Sequence, residues 1–226
     1  MEQNEQDHLA ALGHYALRFA KPGDVIGLGT GRAATAFINA LGQSLIQVRG
    51  IPTSRASEDL GRSLGIEITT LADAPRIDTD FDGADEVDPR LNLIKGYGGA
   101  LVREKIVAAS SRKFIVLVGE EKLVKRLGAR GSLPVEVVPF GVSLAGKRIA
   151  ALGLKPKVRQ KDGADYVTDN GNLILDCGVK DIRNPAKLDR ELLTIPGVVG
   201  TGLFVGMATM VLVARNNGKI DVLRPH

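Results

Sequence analysis

Apolar residues at Leu9, Leu12, Ala16, Leu17 and Ala20 recur at the three- and four-residue spacing of a helix face. The pattern predicts a helix over residues 7–20, ended by Pro22 and Gly23. The period then changes. "DVIGLGTG" is a short apolar run entering a glycine-rich turn, and "RAATAFINAL" restores the helical period, so the first unit is strand, turn, helix. The alternation continues with "IQVRGIPTS" as a strand, "SRASEDLGRSLG" as a helix, and "IEITTL" and "RIDTDFDGADEVD" as strands. A glycine-led helix from about Gly99 and the strand "KFIVLVG" follow. Strands alternating with helices predict a mainly parallel, Rossmann-like α/β sheet flanked by helices.

After Pro134 the order becomes strand, helix, two strands across the "DNGN" turn, helix, strand: "VEVVPF", "SLAGKRIAALG", "KPKVRQ", "LILDCGV", "PAKLDRELLTI" and "VVGTGLFVG". This βαββαβ order is that of a ferredoxin-like α+β subdomain. The expected division is therefore an α/β catalytic domain from residues 1–133 and 207–226 and a subdomain over 134–206. The final "MVLVARNNGKIDVLRP" returns as a hairpin.

The 226 residues, 44% of them apolar, suffice for a packed core. A net charge of +4 from 30 basic and 26 acidic residues is too mild to demand nucleic acid and suits small anions equally well. The run from Lys147 to Lys161 holds six basic residues and no acid. A solvated face and a nucleic-acid contact both stay open there, although aromatic residues for base stacking are missing. The single cysteine, Cys177, excludes an internal disulfide, and "MEQNEQDHLA" lacks the basic and apolar regions of a signal peptide. The longest apolar run, "FIVLVG", is strand-length and far below the roughly 20 residues of a membrane span. The expectation is a soluble cytoplasmic protein without a membrane anchor.

Three stretches are candidates for chemistry. In "GLGTGRAAT", Gly27 to Thr35, backbone N–H groups between a strand and a helix can converge on an anion, with the helix dipole favouring negative charge. A dinucleotide fingerprint would need glycine at Arg32, and a P-loop would need Gly-Lys-Ser/Thr. The remaining readings are a phosphate turn and a turn that only packs helix on strand. Arg32 faces the positive end of the helix dipole, a cost of ~0.3–1 kcal/mol when exposed, which a bound phosphate would reverse.

In "DTDFDGADEVDP", Asp78, Asp80, Asp82, Asp85, Glu86 and Asp88 crowd together. The calcium-loop pattern fails because Pro89 stands where its final glutamate belongs. Asp82 and Asp85 can instead accept hydrogen bonds from a polyhydroxylated substrate at a strand end; a solvated acidic loop is the other possibility. In "KGYGGALVREKIV", Lys95 to Val107, Gly96, Gly98 and Gly99 let backbone pass close to a ligand. Glu104 alone reads as a surface helix residue; paired with Lys95 it becomes a general base beside a group that stabilises an oxyanion. His8 and His14 lack partners at ligand spacing, and His226 and Cys177 are read as inert.

Together "GLGTG", "DGADEVD" and "KGYGGALVREKIV" resemble ribose-5-phosphate isomerase of the A type, as do "LPVEVVPF", "VTDNGNLILD" and "IPGVVGTGLF", so the resemblance covers nearly the whole chain. It implies interconversion of ribose 5-phosphate and ribulose 5-phosphate without metal or organic cofactor, by a homodimer or tetramer. It further implies that Glu104 moves a proton between C1 and C2 through an enediolate and that Lys95 stabilises the oxyanion. Asp82 and Asp85, in the turn Asp82–Gly83–Ala84–Asp85, would position hydroxyls and assist ring opening. Thr30, Gly31, Arg32, Ala33 and Lys122 would hold the phosphate, and Gly96, Tyr97 and Gly98 would line the substrate. This chain departs from the family pattern at Arg32 and Ala33, where Ser-Thr is usual, and at Tyr97, where glycine is usual and a positive φ would strain a tyrosine. A non-catalytic sugar-phosphate sensor, an amino-sugar-phosphate isomerase or deaminase, and a CoA transferase are the rivals.

Overall fold

The structure is a computed structural model and describes residues 2–74 and 76–225; His226 lies outside the described residues. Helix α1 (Glu2–Ala16) precedes β1 (Val25–Leu28), α2 (Arg32–Gln43), β2 (Arg49–Pro52), α3 (Arg55–Ser63), β3 (Glu67–Ile68) and β4 (Thr79–Gly83). Then come β5 (Glu86–Val87), β6 (Leu93–Ile94), α4 (Leu101–Ala109) and β7 (Phe114–Gly119). The next run is β8 (Ser132–Val137), α5 (Val142–Ala151), β9 (Lys155–Val158), β10 (Gln160–Lys161), β11 (Ala164–Asp165), β12 (Leu173–Gly178), α6 (Pro185–Leu193), β13 (Val198–Thr201) and β14 (Leu203–Phe204). Strands β15 (Met210–Ala214) and β16 (Ile220–Leu223) come last.

The chain divides into two compact units. The first takes the residues up to Ala84, Arg103–Leu123, and those from Met207 on; the second takes Asp85–Val102 and Val124–Gly206. Residues 85–102 and 124–133, assigned by the sequence pattern to the α/β domain, thus fall in the second unit. The reason lies in pairing: β5 and β6 hydrogen-bond with each other, and β6 with β14, in a separate three-stranded sheet. Strands of two residues carry too little periodicity to announce this.

The first unit is built on a seven-stranded sheet of order β16-β15-β7-β4-β1-β2-β3, parallel except for the β15–β16 hairpin. Its central strands are covered on both faces, so β1 and nearly all of β7 are buried along their length, as parallel strands require. The core gathers Leu12, Phe37, Ile38, Leu41, Phe81, Ile115, Leu117 and Leu212. The Phe37 and Phe81 rings stack there at 4.1 Å. The strand order reverses between β1 and β4, and α/β sheets bind ligands at the carboxyl ends of strands flanking such a reversal.

The second unit contains the four-stranded antiparallel sheet β13-β8-β12-β9, the ferredoxin-like order expected from the βαββαβ run. Leu133, Val135, Val137, Ala145, Ile149, Leu175 and Leu192 form its core. "VVGTGLFVG", predicted as one strand, splits at Gly202, whose N–H donates to Pro134 O at 2.7 Å; β13 and β14 then serve different sheets. The β10–β11 ribbon was not foreseen.

Cys177 on β12 is fully buried, and burial first, then the Asp176 charge, pushes its thiol from an ordinary 9.0 up to about 12. The native thiol should therefore resist alkylation at pH 8 and react once urea unfolds the chain; rapid native labelling would contradict this burial. Because the folded thiol titrates above the unfolded one, the stability it confers is complete below pH 9 and is lost as pH rises from about 9 through about 12. The urea midpoint should fall more steeply over that window in the parent than in Cys177→Ala.

Candidate active site

In the first unit the site begins where β1 runs into α2. Gly31 caps α2 with φ 101° and ψ 177°, a conformation essentially confined to glycine. The first-turn N–H groups of a helix have no intrahelical acceptors, and no acidic residue stands in the first turn of α2. Instead Arg32 opens the helix, exposed like Gly31, with Ala33 half-buried. A groove of about 880 Å³ between α1 and α2 reaches this turn, lined by Leu9, His14, Gly31, Arg32, Thr35 and Asn39 among others.

Asp82 holds the turn from behind. It is fully buried, and its Oδ1 accepts the Thr30 N–H at 2.9 Å and the Gly83 N–H at 2.7 Å. A Cβ at Gly83 would lie 3.9 Å from Thr30 O and 4.0 Å from Ala33 Cβ, so residues 30, 33 and 83 come together at the ends of β1 and β4. The Thr30 hydroxyl turns inward, 2.8 Å from Thr53 Oγ1 and donating to Ser54 Oγ at 2.8 Å. Ser54 in turn caps α3 in a reciprocal box with Ser57. Thr30 thus ties two helix starts together, a part the glycine pattern did not reveal. Lys122, half-buried, lies in the single turn Glu120–Lys122 that follows the carboxyl end of β7.

Glu104 is 4% exposed, on the same buried face of α4 as Val107 and Ala108. Taken alone it read as a surface residue; the i, i+3, i+4 spacing places it inward.

In the second unit Asp85 Oδ2 accepts the Tyr97 N–H at 3.0 Å, and the Asp85 N–H donates to Ile94 O at 2.8 Å. Lys95 is 2% exposed, its N–H donates to Gly202 O at 2.9 Å, and its Nζ lies 5.6 Å from the Phe204 ring centroid, a cation–π contact. The left-handed positions of the loop fall on Gly96 and Gly99, while Gly98 is exposed. Tyr97 does not take a positive φ, so the strain anticipated for it is absent. Its hydroxyl donates to Ser132 O at 3.2 Å. Burial, followed by the Asp85 and Glu86 charges and opposed by Arg130, raises the phenol to about 12, so it is neutral at physiological pH.

The acidic stretch does not form a metal cage: among the described residues no group of three or more His, Cys, Asp or Glu is placed to hold an ion. Five of its six acids, Asp78, Asp82, Asp85, Glu86 and Asp88, accept backbone amides instead. Asp78 accepts the Val25 N–H, and Asp88 accepts the Arg90 and Asn92 N–H groups. Buried Glu86 takes the Gly128 and Arg130 N–H groups at 2.6 Å each. The sequence named Glu86 among the crowded acids but not its part, because a carboxylate facing amides looks like one facing water.

The first unit thus brings a glycine turn, a helix N-terminus and buried Asp82 to a sheet reversal and buries Glu104 on α4, and the second buries Lys95 beside a glycine loop. The family described as ribose 5-phosphate isomerase A (phosphoriboisomerase A) matches residues 49–218. Ribose-5-phosphate isomerase A of Roseiflexus sp. (strain RS-1) is 48% identical over 217 residues, 93% of each chain. The solved ribose 5-phosphate isomerase A of Methanocaldococcus jannaschii is 39% identical and superposes with a TM-score of 0.91, covering 96% of this chain and 98% of that one. A D-ribose-5-phosphate isomerase solved in complex with phospho-erythronic acid is 37% identical, with a TM-score of 0.93 and the same coverage. The chain belongs to the ribose 5-phosphate isomerase A family and is an isomerase. Among the described residues no helix is long and apolar enough to cross a membrane.

The Gly31 backbone generates a test: Gly31→Ala should lower the unfolding free energy by about 1–3 kcal/mol in urea titration. Unchanged stability would contradict the positive φ.

Proposed function

We propose that this isomerase interconverts D-ribose 5-phosphate and D-ribulose 5-phosphate through an enediolate, with Glu104 as the base that carries the proton between C1 and C2. The observation that carries this reading is the burial of a carboxylate, Glu104, and an ammonium, Lys95, at 4% and 2% exposure, nine positions apart around a glycine loop. Lysine and glutamate are almost never fully buried unless paired, and two of them flanking one glycine loop mark a candidate functional site.

Lys95 stabilises the oxygen that gains charge as the proton leaves, the larger share of the catalysis, since a positioned base alone contributes about 10²–10⁴-fold. Asp82 and Asp85 position sugar hydroxyls and assist opening of the furanose ring. One oxygen of Asp82 is held by the Thr30 and Gly83 N–H groups and one oxygen of Asp85 by the Tyr97 N–H, which restricts the orientation of each carboxylate. The turn Thr30–Ala33 takes the phosphate: first-turn N–H groups of α2 and the Arg32 guanidinium supply donors in place of the hydroxyls usual in the family, with Lys122 as a second cation. The bound phospho-erythronic acid of the solved relative, a phosphorylated sugar acid by its name, is consistent with a site that reads both ends of such a molecule. A cytoplasmic homodimer or tetramer in the non-oxidative pentose phosphate pathway completes the proposal.

In a coupled assay of ribulose 5-phosphate formation, Glu104→Gln should lower kcat by about 10²–10⁴-fold with little change in KM. A wild-type rate in that variant, or no turnover by the parent protein, would end the proposal. Arg32→Ala should raise KM for ribose 5-phosphate by about tenfold or more, the size of a charge-assisted hydrogen bond, with kcat less affected. An unchanged KM would remove Arg32 from the phosphate site.

A further inference from the structure

The loop that carries Lys95 holds three glycines in the four positions after it, the most freely moving backbone a chain can have. Asp85 holds the Tyr97 N–H, and within the second unit the loop's carbonyls are held by two side chains outside the three sequence motifs, Arg159 and Tyr166. Arg159, just past β9, has its own N–H fixed to Ile174 O at 2.8 Å. Its Nε donates to Asp176 Oδ2 at 2.8 Å and its Nη2 to Asp176 Oδ1 at 2.6 Å, a two-pronged fork. The remaining nitrogen, Nη1, donates to Gly96 O at 2.9 Å and Tyr97 O at 3.1 Å.

Tyr166, on the same ribbon, continues the clamp. Its ring lies 5.8 Å from the guanidinium, and its hydroxyl donates to Gly98 O at 3.4 Å. Gly99 packs so closely on it that a Cβ there would come within 2.6 Å of the Tyr166 ring. Three successive carbonyls, those of residues 96, 97 and 98, are thereby turned toward Arg159 and Tyr166. Fixing those carbonyls fixes the peptide planes that follow Lys95.

We propose that Arg159, oriented by Asp176, is a positioning residue for the isomerisation: it sets the lysine loop so that Lys95 stands where the oxyanion forms. This rests on the role given above to Lys95. A lysine at 159 has no planar fork and cannot hold the carboxylate bidentately while also serving two carbonyls. Of the six basic residues between Lys147 and Lys161, the other five are exposed, and Arg159 alone is drawn inward. An anchor for the β9–β12 sheet alone would need the fork to Asp176 but not the third nitrogen.

The test compares Arg159→Met, Arg159→Lys, Lys95→Ala and the Lys95→Ala/Arg159→Met double variant, with the Glu104→Gln protein alongside. Arg159→Met should lower kcat about tenfold to a hundredfold, the scale of a small misplacement of a catalytic group, with KM for ribose 5-phosphate changed less than about threefold. Arg159→Lys should recover part of that loss. In the double variant the Arg159 change should cost little beyond Lys95→Ala, because both act through one group. Wild-type kcat in Arg159→Met, whatever its urea midpoint, or losses that multiply in the double variant, would overturn the proposal. An impaired Glu104→Gln beside a fully active Arg159→Met would sink the clamp alone; a fully active Glu104→Gln would sink the mechanism on which it rests.

Discussion

Two fully buried carboxylates, Asp82 and Glu86, and the half-buried Asp85 are placed against backbone N–H groups, and the turns around the site depend on that pairing. A carboxylate taken out of water must regain donors or become prohibitively costly, and amide groups in irregular backbone equally need acceptors. Asp82 settles both needs at the end of β4 by binding the Thr30 and Gly83 amides. Glu86 does so for Gly128 and Arg130, and Asp85 for Tyr97. Each pair converts a stretch that would otherwise wander into one with a defined path. Most of the acidic stretch is a row of acceptors for backbone N–H groups.

The same economy explains where cations fall. Arg32 at the start of α2 is locally unfavourable, since a positive side chain meets the positive pole of the helix. It becomes favourable when an anion sits there. Lys95 is buried against the face of Phe204, where the ring quadrupole replaces part of its lost hydration. Arg159 divides its donors between a carboxylate and two carbonyls, so the charge is neutralised and the loop is held by one group.

Much of the fold was legible because its signals are long or punctuated. β1 and β7 are continuous apolar runs, and α2 begins at a glycine where the period changes. The βαββαβ run gave the order of the four-stranded sheet correctly. β5, β6, β10, β11 and β14, two residues each, were invisible or merged with neighbours, since no period fits in two residues. With β5 and β6 went the assignment of residues 85–102 to the second unit. The motifs pointed to Lys95, Glu104, Asp82 and the turn at Gly31, and the family resemblance supplied their roles. The parts played by Glu86, Tyr166 and Arg159 stayed hidden because each holds backbone atoms, which leave no trace in residue types, and because Asp176, the other partner of Arg159, lies 17 positions away in sequence. Arg159 was further concealed in a basic run whose other members face water.

The central claim is that hydrogen moves along the pentose as a proton held by a protein carboxylate. The most direct measurement is the conversion of ribose 5-phosphate in D₂O, with the product's C1 examined by NMR. A carboxylate base exchanges with solvent during turnover, so deuterium is predicted at C1, in part or in full. Complete retention of protium at slow turnover, the behaviour of a hydride shift, would contradict a carboxylate that exchanges its proton with solvent.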